Sequence, residues 1–158
     1  PASEDIRMVI AESVVNVRTH VSKISVEKTR KALEAVSGML ASHHQDFIQV
    51  SESLNAITLI FDQKLHKKIR AKLADYVLLE EGNDCAAITV QSPPLIMKTP
   101  GCIINFYNQI SRAHVNIEDT VSCFTDTIVV VKMKDVAKAF TALTELVTEE
   151  RKRLEARE

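Results

Sequence analysis

The chain has no tryptophan, only three glycines, and aromatics at 4% of its 158 residues. Unclustered glycines exclude a phosphate-cradling loop, which needs small residues to bring backbone N–H groups onto a phosphate. Scarce aromatics argue against a platform that stacks single-stranded bases. No apolar run nears the roughly 20 residues that span a bilayer, so no membrane partner is expected. No basic-then-apolar leader opens the chain, so a retained secretory signal is not expected, although Pro1 in first place also fits a trimmed start. A dominant charge is missing too: 20 Lys and Arg stand against 21 Asp and Glu, for a net charge of -1. That balance gives no pull toward nucleic acid or anionic lipid. Cys85, Cys102 and Cys123 form no C-x-x-C pair, and each lies in or beside an apolar run. They read as buried, reduced thiols of a cytoplasmic protein.

Constellations that carry chemistry are also lacking. His43 and His44 are adjacent before a strand, where alternation turns neighbours to opposite faces and makes a poor chelating pair. His20, His66 and the cysteines have no metal-ligand spacing, so neither metal nor cofactor is expected. No Ser/His/Asp or Cys/His set assembles along the chain, and no catalysis of its own is expected. Lys64, Lys67, Lys68, Arg70 and Lys72 read as the solvated exterior of one helix and not as a nucleic-acid patch.

What the chain does contain is itself, twice. A shift of 71 positions lays "VVNVRTH" on "CAAITVQ" and "SLNAITLIFD" on "FTDTIVVVKM" without gaps. It pairs Leu33 with Ile104, Met39 with Ile110, Ile57 with Ile128 and Ile69 with Phe140. The first copy opens with the β-branched stretch "SVVNVRTHVS". A helix is expected from Ser25 to about Ala41, with Leu33, Val36 and Leu40 at helical spacing and Ser25 or Ser22 as its cap. "DFIQVSES" and "AITLIFD" follow as strands about a turn near Leu54 and Asn55. Asp62 then starts a helix with Leu65, Ile69 and Leu73 on one face.

Gly82-Asn83-Asp84 is a turn signal, expected to join two strands as a hairpin between the copies. In the second copy a helix after Gly101 places Ile103, Tyr107 and Ile110 on one face, and "VNIEDTVSC" and "DTIVVVKM" are strands about Thr125-Asp126. A last helix with Val136, Phe140, Leu143, Val147 and Leu154 on one stripe runs into a charged end at residues 148–158. The order βαββαβ defines an α+β, ferredoxin-like unit: an antiparallel sheet with helices on one face. The second unit lacks its final strand. Residues Ile6 to Glu12 supply it if residues 1–13 are a strand, but Ser3 followed by acidic residues equally fits a capped helix.

The residues "AAITVQS", "TPGC", "VNIEDT" and "DTIVVVKMKDVAKAFTAL" resemble the ACT domain, a small regulatory module of amino-acid metabolism. "DFIQVSESLNAITLIFDQKLHKKIRAKL" is similar to the regulatory region of aspartokinases, where two such units stand in tandem. The expected domains are therefore an N-terminal segment 1–13, ACT-like units at 14–82 and 83–147, and the charged helix end. The resemblance implies a small effector, an amino acid, at an interface between units. Carried onto this chain, the site is Thr99, Pro100, Gly101, Cys102, Asn116 and Ile117. Gly at a helix start lets a ligand approach the backbone, and the N–H groups there favour a carboxylate. The bland alternative is that Pro100 and Gly101 only shape the helix entry.

Two departures from the family pattern stand out. His114-Val115 replaces the Gly often found before the second strand, and the first loop, "VSKISVE", has no Gly. The first unit is therefore expected to be structural. The whole is expected to be a regulatory or sensing protein whose target, a metabolic enzyme, is a separate chain. A ligand-free interaction module on the same fold is the rival reading. "DTIVVVKM" is apolar on both alternating faces, which points to a covered sheet and a homodimer or higher oligomer.

Overall fold

The computed structural model describes residues 3–157. Pro1, Ala2 and Glu158 lie outside them, and with them the outermost ends of the segments expected at 1–13 and 148–158. The elements run α1 (Glu4–Ala11), β1 (Val14–Glu27), α2 (Arg30–Ser42), β2 (Ile48–Glu52), β3 (Ala56–Asp62), α3 (His66–Lys72) and β4 (Leu78–Gln91). Then follow α4 (Cys102–Arg112), β5 (Asp119–Cys123), β6 (Asp126–Lys132) and α5 (Val136–Glu155). Short 3₁₀ turns precede α3, α4 and α5.

The chain divides into two compact units, one made of residues 19–85 and the other of residues 1–18 with 86–158. Each is an α+β unit of ferredoxin-like order. In the first, the strand order is β2-β3-β1-β4, with β1 antiparallel to β3 and β2 antiparallel to β3. Ile57, Leu59 and Phe61 of β3 meet Ala32, Val36 and Met39 of α2 and Ile69 of α3 in its core. In the second, the order is β5-β6-β4-β1, and Val129 and Val131 of β6 meet Phe106 and Ile110 of α4 and Leu143 of α5.

The start of the chain forms α1, a helix, because Ser3 caps it by accepting from the Ile6 N–H while Glu4 and Asp5 fill its first turn. Val9, Ile10 and Ala11 bury its inner face. The strand that closes the second unit does come from the chain start, but it is residues 14–18 of β1 and not Ile6 to Glu12.

Two expected boundaries move. Ser25, Val26 and Glu27 belong to β1, not to a helix, since their partners Thr58, Ile57 and Ala56 hold them in the sheet. The cap of α2 is consequently Thr29, whose side chain accepts from the Ala32 N–H at 3.1 Å. The turn expected at Gly82-Asn83-Asp84 does not form either: β4 runs through all three residues. A turn signal inside a strand with neighbours on the sheet loses to the ladder it would break.

The repeat also changes register. From β3 to β6 the element bounds differ by 70 positions, and the 3₁₀ turns and the starts of α3 and α5 differ by the same 70. Ile57 lies in its unit's core, whereas Ile128 alternates away from the core residues Val129 and Val131. A one-residue slip turns a strand residue to the opposite face. Ile128 and Val130 are nonetheless buried, at 4% and 0% exposure, within this chain alone. The two-faced apolar pattern of β6 is thereby accounted for, and the argument from it to a covering partner falls away.

Candidate functional site

The two units differ most in the loop from first strand to first helix. In the unit of residues 19–85, only Lys28 and Thr29 separate β1 from α2, and Thr29 is used as the helix cap. In the other unit, residues 92–101 intervene between β4 and α4. The gapless alignment could not show this insertion, because it laid Val14–His20 on Cys85–Gln91 and so merged a closing strand with an opening one.

The insertion is held from within. The Ser92 N–H donates to Thr125 O at 3.0 Å, and the Ser92 hydroxyl lies 2.9 Å from that of Ser13. Pro93 and Pro94 start a 3₁₀ turn over Pro94–Lys98. Thr99, buried, donates its hydroxyl to Leu95 O at 2.7 Å, and its N–H reaches Ile96 O at 3.2 Å. Gly101 then starts α4 with φ of 100°, in the left-handed region, and supplies no side-chain cap to the first N–H groups of the helix. Its carbonyl accepts both the backbone N–H and the side-chain amide of Asn105, at 3.2 and 2.8 Å.

Residues 96–104 line an open cavity of about 560 Å³, within the usual size range of small-molecule sites. Thr99, Pro100, Gly101 and Cys102 are all in its lining. Asn116 and Ile117 are not: Asn116 is exposed, and Ile117 packs against the core of its unit. Gly101 is less free than a bare helix start. A β-carbon there would lie 3.2 Å from Cδ1 of Ile6 on α1. The glycine is therefore demanded by its own φ and by α1, and a valine there would be strained. Cys102 is 1% exposed, and burial pushes its thiol above the ordinary range, so it stays a neutral, soft surface and not a nucleophile.

Where the family pattern has Gly before the second strand, His114 adopts φ of 59° just past the end of α4. Its N–H reaches Ser111 O at 3.0 Å, so a histidine here takes the left-handed position that usually falls to glycine. His43, aligned with it, caps the end of α2 and bonds Asp46 at 2.9 Å.

One constellation was invisible along the chain. Ser22, His66 and Glu81 form a hydrogen-bonded line, with His66 Nδ1 at 2.8 Å from Ser22 Oγ and Nε2 at 2.6 Å from Glu81. An ionised Glu81 only accepts, so His66 Nε2 carries the proton of that bond. The hydrogen bond from His66 outweighs partial burial and holds the Glu81 carboxyl below the ordinary value. Arg70 lies 3.5 Å from the other oxygen. The residue types are those of a nucleophilic triad, but Ser22 is 0% exposed and reaches no substrate. The line ties α3 to β1 and β4. Separations of 44 and 15 residues left no local signal for it. Among the described residues no group of His, Cys, Asp and Glu could hold a metal ion, and no helix is long and apolar enough to cross a membrane.

Residues 80–145 match the family model of the ACT domain. No curated protein matches the chain by sequence. In fold the chain is similar to the regulatory subunit of aspartate kinase from Thermus thermophilus, with 13% identity, a TM-score of 0.67, and coverage of 84% of this chain and 95% of that one. Aspartate kinase from Clostridium acetobutylicum shares 17% identity at a TM-score of 0.69, covering 84% of this chain. Aspartate kinase from Synechocystis shares 14% at 0.72, covering 87%. The chain spans only 34% and 27% of those two whole kinases.

Proposed function

From a chain that carries an ACT domain over residues 80–145, in the fold of an aspartate-kinase regulatory subunit, we propose a regulatory protein of amino-acid metabolism. Its effector is an amino acid, and it binds against the cavity of residues 96–104. The observation that carries this reading is the insertion itself: one unit builds a cavity between strand and helix, and the other fills the same place with a two-residue link and a Thr29 cap. The unit of residues 19–85 is then structural. The first N–H groups of α4, uncapped by Gly101, suit a carboxylate. Asn116 and Ile117 stand outside the lining, so the proposed site centres on Thr99, Pro100, Gly101 and Cys102. It regulates a metabolic enzyme, as a homodimer or higher oligomer in the cytoplasm.

A thermal-shift screen against the common amino acids tests the reading. A ligand that binds only the native state raises stability by about 2.7 kcal/mol at a hundred-fold excess over its Kd. The expected result is a rise in Tm of several degrees for at least one amino acid. One observation favours the rival, a ligand-free interaction module: Ile6 already occupies the space beside Gly101. On that reading no amino acid changes Tm.

A further inference from the structure

The cavity of residues 96–104 has a one-sided chemistry. Ile96, Met97, Pro100, Ile103 and Ile104 give it apolar walls, and Cys102 adds a buried thiol kept neutral. Met97 and Ile104 are large apolar side chains left 60% and 61% exposed. Lys98 is the one charged residue of the lining, and no Asp or Glu belongs to it. Glu118, which could have offered a carboxylate to a basic ligand, is outside the lining, pairs with Lys132 at 3.9 Å, and donates its N–H to Val130 O at 2.8 Å.

We infer that the effector is a small carboxylate with an apolar side chain, of the branched aliphatic or thioether kind. This rests on the effector reading above. Three comparisons decide the class. A basic side chain would add a second cation, beyond the α-ammonium group, against apolar walls that hold no counter-charge, and would meet the like charge of Lys98. An acidic side chain would bring two carboxylates, and even with one at the first N–H groups of α4 and the other at Lys98 it would leave Met97 and Ile104 without apolar cover. An apolar side chain covers Met97 and Ile104, while its single carboxylate is left for Lys98 and the first N–H groups of α4, and each buried methylene strengthens binding.

The test is calorimetric titration of the whole chain with L-leucine, L-methionine, L-lysine and L-aspartate, on wild type and on Ile104→Glu and Lys98→Gln. Ile104 and Lys98 are exposed, so both variants keep the fold. Leucine or methionine is expected to bind wild type at least ten-fold more tightly than lysine or aspartate. Ile104→Glu should shift the leucine-to-lysine ratio at least ten-fold toward lysine, and Lys98→Gln should weaken leucine at least five-fold. Preferred binding of lysine or aspartate by wild type, or an unchanged ratio in Ile104→Glu, overturns the inference and leaves the effector reading standing. No binding by any of the four, together with a thermal-shift screen in which no amino acid moves Tm, overturns both.

Discussion

At φ of 100°, Gly101 occupies a conformation in which a β-carbon costs about 1–2 kcal/mol. The same β-carbon would press on Ile6 at 3.2 Å. Gly101→Ala should therefore lower stability in urea by at least that amount, and less in an Ile6→Ala background, where only the backbone cost remains. A loss of a few tenths in both backgrounds would show that neither constraint operates. Glu81 gives a second prediction at this scale. Its carboxyl is depressed in the folded state by the hydrogen bond from His66. Its contribution is present above the unfolded value of 4.5 and is lost as pH falls through the lower folded value. Glu81→Gln should flatten the fall of stability below pH 4.5. An unchanged acid limb in the variant would place the pH dependence on other carboxylates.

Elements were legible where period and cap agreed. Asp62 caps the 3₁₀ turn before α3 by accepting from the Lys64 N–H at 3.0 Å, and α4 starts at Gly101, while the β5–β6 turn expected at Thr125-Asp126 falls one residue earlier, at Phe124-Thr125, with Asp126 paired to Cys123 in the ladder. Reading failed where long-range pairing outweighed local signal. Ser25 to Glu27 look helical alone but pair with β3, and Gly82-Asn83-Asp84 looks like a turn but lies within β4. The candidate site was half legible. The TPGC turn carries its own signature of Pro, Gly and a helix start. That Asn116 stands outside the lining depends on how the chain after α4 runs, which spacing does not encode. The slip from 71 to 70 was hidden because Ile128 and Val129 are both apolar. Ile57 and Ile128 therefore lie on different faces, yet both are buried, at 0% and 4% exposure. Truncation of either to Ala should cost about 2–5 kcal/mol in denaturant unfolding. A cost of a few tenths at Ile128 alone would mean that the face of β6 turned from its core is not close-packed.

At the scale of the whole molecule, a duplicated fold has kept one unit plain and elaborated the other. The plain unit closes its first loop with a Thr29 cap and ties α3 down through His66. The elaborated unit spends residues 92–101 on a turn, a buried Thr99 and a cavity beside α4. On the proposed function, that asymmetry gives binding to residues 96–104 and not to the equivalent stretch around Thr29. The most direct measurement is amide chemical-shift mapping of the whole chain, titrated with the amino acid that raises Tm most. The account predicts saturable shifts concentrated in residues 96–104, with residues 28–33 unmoved. Shifts centred on residues 28–33, or saturable shifts that leave 96–104 untouched, would contradict it.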